Sequence, residues 1–109
     1  MRLSLTYFDQ NEEFGALLPR CGTVECFVRS RAQSEWALFR LDQPVEYRNS
    51  VYNQLLLRSR WRGCRIGERE STSVHVVLVP DEAEVRDGFS VDRANHVAWG
   101  MAERLAELS

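Results

Sequence analysis

Apolar and polar residues alternate along most of the first eighty positions of the chain. Residues 2–8 show the pattern at its simplest, because Leu3, Leu5 and Tyr7 alternate with polar residues. A period of two is typical of a β-strand with one buried face. The alternation predicts strands over 2–8, 23–31, 35–41, 45–48, 53–62 and 71–80.

The last of these strands carries apolar residues on both faces. Val74, Val76 and Leu78 occupy one side, and Val77 and Val79 occupy the other. A strand with this pattern is expected near the centre of a sheet, where both of its faces are covered.

One hairpin can be predicted in detail from the residues between two strands. If Asn49 and Ser50 form a two-residue loop, Tyr47 lies directly opposite Tyr52 on the neighbouring strand. Aromatic pairs at such positions stabilise a sheet by roughly 0.2–1 kcal/mol.

Two segments have helical spacing instead. Asp9 and Glu12 have the spacing of a helix-capping box and Pro19 ends the pattern, which predicts a helix over 10–18. Near the C-terminus, Ser90 is a suitable N-cap, and an amphipathic helix is predicted after it. Its apolar seam, at intervals of four, three, four and three, comprises Ala94, Ala98, Met101, Leu105 and Leu108. The acidic segment 81–90 is predicted to be an exposed connector.

These elements predict one α+β domain spanning residues 1–109. Five or six strands in succession with short connections favour a curved, mainly antiparallel sheet, with a short N-terminal helix and a C-terminal amphipathic helix. The pattern fits both an open sheet and one closed into a barrel. A hydrophobic content of 44% and a charged content of 28% agree with a globular protein.

Composition also indicates the compartment. The first ten residues are too short and too polar for a signal peptide, and no apolar run approaches the length of a membrane span. The three cysteines, Cys21, Cys26 and Cys64, cannot all pair within one chain and lack the spacing of a zinc ribbon. We therefore expect a soluble cytoplasmic protein with reduced thiols, without contact with a membrane.

No recognised catalytic or cofactor motif occurs in the sequence. The two histidines, His75 and His96, are far apart and predicted on different elements, with His75 in a core or interface and His96 exposed. Cys64 lies among arginines, but a phosphatase-like loop needs an arginine at the position that Glu70 occupies. We expect no enzyme activity, no metal and no cofactor.

Arginines are concentrated on one predicted strand. Residues 55–69 hold five arginines against one acid, Glu68, for a local charge of +4, although the net charge is −2. Alternation places Arg58, Arg60 and Arg62 on one face of the strand, about 6.5–7 Å apart, and Trp61 on the opposite face with the leucines. Arg29 and Arg31 alternate in the same way on an earlier strand and extend the patch if both strands expose the same face.

Two functions fit this surface. The first, which we favour at this point, is a protein-interaction or self-association module, because the chain is rich in residue types enriched in interfaces and Trp99 lies away from the helical seam. These residues are Trp36, Trp61, Trp99, Tyr47 and Tyr52. The alternative is binding of an anion or single-stranded nucleic acid by the arginines, with Trp61 or Phe27 stacking on bases. A sequence pI of 5.7 argues against the alternative.

Overall fold

The computed structural model describes residues 1–9, 11–61, 63–81, 83–91 and 96–105. Together these residues form six β-strands and one short helix. The elements in chain order are β1 (Arg2–Asp9), α1 (Glu12–Gly15), β2 (Arg20–Arg29), β3 (Glu35–Tyr47), β4 (Ser50–Ser59), β5 (Ser71–Val79) and β6 (His96–Arg104).

The six strands form a closed antiparallel barrel. Each strand pairs with the next along the chain, and β6 returns to pair with β1, where Leu3 lies opposite Arg104 and Leu5 opposite Ala102. Each strand therefore has a neighbour on both sides. The antiparallel meander predicted from the sequence is confirmed, and of the two predicted forms of the sheet the closed one is found.

The predicted α+β class is wrong, because the segment expected to form the C-terminal helix contains β6. In an open sheet β1 and β5 would each leave a row of backbone N–H and C=O groups unpaired, and β6 satisfies both rows at once. This long-range pairing outweighs the local helical spacing. Residues 92–95 and 106–109 of the predicted helix lie outside the described residues.

The predicted N-terminal helix is also shorter than expected. α1 has only four residues, and its N-cap is Asn11, whose side chain accepts a hydrogen bond of 3.0 Å from the Phe14 amide. Asp9, which the sequence pattern placed at the cap, ends β1 instead. Phe14 is fully buried and joins the barrel core from this helix. No helix in the described part of the chain is long and apolar enough to cross a membrane.

The interior of the barrel is filled by the inward-facing residues of its strands. Phe39 is fully buried, and it is surrounded by aliphatic residues that include Leu3, Leu5, Leu55, Leu57, Val74 and Val76. Gly22 provides room for the Phe39 ring, since a Cβ atom at this position would lie 2.8 Å from Phe39 Cζ. The core therefore depends on a large aromatic ring packed over a glycine of the neighbouring strand.

A second apolar cluster lies on the outside of the barrel. It contains Val28, Trp36, Leu38, Leu56, Val77 and Val79. Residues 83–91, which we call the strap, cover this cluster with Val85, Phe89 and Val91. Hydrogen bonds of 2.7 Å from the Gly88 amide to Arg29 O and from the Arg31 amide to Phe89 O attach the strap to β2 and the turn after it. The expected exposed connector is thus partly buried, and β5 is covered on both faces as predicted.

Candidate functional site

A row of large side chains crosses the outer surface of the barrel beside the strap. Arg58 on β4 lies opposite His75 on β5, and His75 lies opposite Trp99 on β6. Trp36 on β3 contacts the other side of Arg58. We call Trp36, Arg58, His75 and Trp99 the outer row.

The members of the outer row stack on one another. The His75 and Trp99 rings are nearly parallel, with centroids 4.7 Å apart, and the Trp36 and His75 centroids are 5.9 Å apart. The guanidinium carbon of Arg58 lies 5.3 Å from the Trp36 ring centroid. Cation–π contacts of this kind contribute about 0.5–2 kcal/mol and hold a guanidinium group in a fixed orientation.

Arg60 and Trp61 extend the row toward the end of the barrel. β4 ends at Ser59, where the Ser59 hydroxyl accepts a hydrogen bond of 3.3 Å from the Trp61 amide and the chain bends. The Arg60 guanidinium then lies 5.2 Å from the Trp61 ring centroid and 5.7 Å from that of Trp99. The Trp61 side chain is 59% exposed, so it does not plug the interior as strict alternation predicted.

Arg58 and Arg60 have no acidic partner among the described residues. In that part of the chain, salt bridges join acids to Arg2, Arg40, Arg48, Arg65 and Arg86. Most of these five arginines are neutralised by a nearby glutamate, whereas the two arginines against the tryptophans keep an uncompensated positive charge. This arrangement leaves both guanidinium groups available to an anion from outside.

A pair of histidines completes the cluster. Nδ1 of His96 lies 2.7 Å from Nε2 of His75, a hydrogen bond whose donor depends on the tautomer. Burial, together with the nearby His96 and Arg58 charges, lowers the pKa of His75 to about 4. His75 is therefore neutral at physiological pH, and the positive charge of this surface comes from arginine.

This shifted pKa predicts a pH dependence of stability. The folded pKa of His75 is below its usual value of 6.5, so the unfolded chain takes up the proton first and protonation favours unfolding. The contribution of neutral His75 to the free energy of unfolding is fully present above pH 6.5 and is lost as the pH falls toward 4. In urea denaturation at pH 7 and pH 4.5, His75→Phe should lose less stability over this interval than the original chain. Equal losses in the two proteins would contradict the assignment.

The other predicted site residues are distributed around this cluster. Arg29 ends β2, where its Nη1 donates a hydrogen bond of 3.3 Å to Gln33 O. Arg31 is exposed in the following turn and interacts with the strap through its backbone amide. Arg62 lies outside the described residues. The structure thus brings Arg58, Arg60, Trp61 and Trp99 together and places Arg31 with the strap.

Sequence reasoning counted Trp36 among the interface candidates but missed its contact with Arg58 and the roles of His75 and His96. The signal was present in the alternation, because Trp36 and Arg58 both occupy outward positions of their strands. Recognising the row required β6 to be a strand, which brings Trp99 opposite His75. Cys64 is a free, half-buried thiol, and no cluster of three or more metal-ligating side chains occurs among the described residues.

Comparison with known proteins does not identify the chain: no protein family, no curated protein and no solved structure matches it.

Proposed function

We propose that this protein is a non-catalytic module that binds single-stranded nucleic acid across Arg58 and Trp99 of the outer row and across Arg60 and Trp61, beside the buried Trp36. The observation that carries the proposal is the contact of two unpaired arginines with tryptophans on one continuous surface. Arginine binds phosphate through a planar fork of N–H donors, and tryptophan offers a face on which any base can stack.

The closed barrel supports binding through side chains. An exposed strand edge would allow a partner to add a strand through backbone hydrogen bonds, but every strand of this barrel is paired on both sides. Recognition therefore depends on what the outer surface presents. Next to the strap, that surface presents indole rings and guanidinium groups.

The low net charge sets the expected strength of binding. The chain carries a formal charge of −2, so no general attraction to a polyanion adds to the local contacts. With Arg58 and Arg60 as the phosphate contacts, we expect dissociation constants of about 1–100 µM, in the range of non-specific binding.

A salt series with a labelled oligonucleotide tests the proposal. Fluorescence anisotropy with a mixed-sequence single strand should show saturable binding at 50 mM salt. The logarithm of the association constant should fall with the logarithm of salt concentration with a slope of about −1.4, or −0.7 for each of two phosphates. A duplex of the same sequence, whose bases cannot reach the indole rings, is the control and should bind more weakly. Absence of binding at 50 mM salt would refute the proposal.

A protein partner or a second copy of the chain is the second candidate. It is favoured by the 59% exposure of Trp61 beside Arg60, since tryptophan and arginine dominate interface hot spots. Such a contact would respond little to salt. Sedimentation that shows a dimer disrupted by Trp61→Ala, together with failure of the oligonucleotide titration, would favour self-association.

We further propose that the module acts in the cytoplasm. Cys21, Cys26 and Cys64 are free thiols, and Cys26 is exposed. Such thiols persist where glutathione keeps them reduced. This setting is compatible with a nucleic-acid ligand.

A further inference from the structure

A groove of about 750 Å³ opens at the end of the barrel where β2, β3 and β4 meet residues 60–61 and 63–68. Its apolar part contains Phe27, Ala37 and Ile66, of which Ala37 and Ile66 belong to the buried core. Its volume falls within the range of small-molecule sites, which often occupy the mouths of β-barrels. The groove differs from the outer row, although Arg58 belongs to both and Arg60 and Trp61, which extend the row, also line the groove.

The charged part of the groove is basic. Four arginines and two glutamates line it, giving a net formal charge of +2. Arg65 is held by Glu35 through two hydrogen bonds, of 2.8 and 2.9 Å, and its guanidinium carbon lies 4.2 Å from the Phe27 ring centroid. Arg65 is thus neutralised and fixed, whereas Arg29 forms no salt bridge with any described carboxylate.

Apolar and cationic groups therefore face one another across the same space. Trp61 and the half-buried Phe27 both line the groove, and the Arg65 guanidinium covers the Phe27 ring, so a planar ligand ring in the groove can contact the Trp61 indole and the Phe27–Arg65 pair. Arg29 and Arg60 belong to the same lining and can receive an anionic substituent of that ring. Desolvation of the ring and a charge-assisted hydrogen bond would act together on one ligand.

We propose that the groove binds a small aromatic anion, with its ring against Trp61 and the Phe27–Arg65 pair and its anionic group at Arg29 and Arg60. The ligand class is a ring compound with one phosphate, sulfonate or carboxylate group. This site shares Arg60 and Trp61 with the surface proposed for nucleic acid, but Arg29 and Phe27 lie outside that surface. A change at Arg29 therefore tests the groove separately.

Titration with 8-anilinonaphthalene-1-sulfonate tests the groove directly. The folded protein should bind one equivalent of the dye, and the dye fluorescence should rise. At least one of phenyl phosphate and benzoate should displace the dye, and the stronger competitor shows which anionic group the groove prefers. Arg29→Gln should weaken dye binding about tenfold, the effect of one charge-assisted hydrogen bond. Arg31→Gln is the matched control, since Arg31 is exposed two residues away, is absent from the lining, and should leave binding unchanged.

A second measurement uses the unaltered protein and so does not depend on the folding of a variant. Cys64 lines the groove, whereas Cys26 is exposed elsewhere on β2. Phenyl phosphate at saturating concentration should slow alkylation of Cys64 by N-ethylmaleimide, as measured by mass spectrometry, and should leave the rate at Cys26 unchanged. Absence of saturable dye binding, equal effects of Arg29→Gln and Arg31→Gln, or unprotected Cys64 would overturn the proposal. Failure of oligonucleotide binding would leave these results unaffected.

Discussion

Replacing Arg58 and Arg60 together with glutamine is expected to weaken the binding of single-stranded nucleic acid about a hundredfold at 50 mM salt. Each guanidinium group is expected to hold one phosphate, and loss of one charge-assisted contact costs roughly a factor of ten in affinity. The slope of the logarithm of the association constant against the logarithm of salt concentration should change from about −1.4 to near zero. Fluorescence anisotropy over a salt series measures both quantities.

The matched control is Arg40→Gln with Arg48→Gln. Arg40 and Arg48 are exposed and paired with Glu25 and Glu13, so the control removes the same formal charge from another part of the surface. It should change affinity by less than about threefold, as expected for distant, screened charges. If both double variants bind equally poorly, binding reflects total charge and the outer row has no particular role.

Replacing Phe39 with alanine is expected to lower the free energy of unfolding by about 3–5 kcal/mol. The Phe39 side chain is fully buried in the barrel, and its ring packs over Gly22. Removal leaves a cavity that the paired strands around it cannot close, because their spacing is fixed by backbone hydrogen bonds. Urea denaturation at neutral pH gives the change directly.

Val51→Ala is the control for this experiment. Val51 lies on β4 of the same barrel but is 55% exposed, so its truncation should change the free energy of unfolding by no more than about 0.5 kcal/mol. A change below about 1 kcal/mol for Phe39→Ala would show that the ring does not fill the interior.

The strands could be predicted because their alternation records which face is buried. Leu55 and Leu57 face the interior, and Leu56 belongs to the outer cluster, as the period of two predicts. The local sequence was less informative about where the register between two paired strands shifts. The predicted strands 35–41 and 45–48 form one strand, β3, whose register with β4 shifts between Arg40 and Val45.

One hairpin shows how a local turn preference alters a predicted register. The turn residues are Arg48 and Asn49, with φ angles of 49° and 65°, and not Asn49 and Ser50. Tyr47 therefore lies opposite Ser50, and the predicted Tyr47–Tyr52 pair is wrong. Positive φ at both central residues is the requirement of a type I′ turn, which matches the twist of the strands.

The C-terminal strand could not be predicted from local spacing. In β6, Gly100 lies opposite Val74 and Ala102 opposite Thr72, so two small residues of β6 pair with β-branched residues of β5. Intervals of three and four between apolar residues resemble a helix in isolation. Only the unpaired edges of β1 and β5 distinguish the two structures, and those edges are distant in sequence.

The candidate site could be predicted only in part, because most of its contacts join strands that are distant in sequence. Arg58 and Arg60 could be assigned to an outward face from one strand alone. The contacts of Trp36, His75 and Trp99 needed the register of four strands, and the position of Trp61 needed the bend after Ser59. The absence of acidic partners for the two arginines, within the described ranges, also depends on tertiary structure.

The most direct test of the central claim follows the indole N–H signals of the three tryptophans in a ¹H–¹⁵N correlation spectrum. During titration with a mixed-sequence single strand at 50 mM salt, the Trp61 and Trp99 signals should shift in a saturable way, whereas that of Trp36, only 3% exposed, should move little. Backbone signals of Arg48 and Asn49, in the turn before β4 and at the opposite end of that strand from Arg58, should stay in place. Unchanged Trp61 and Trp99 signals, or shifts confined to the Arg48–Asn49 turn, would contradict binding at this surface.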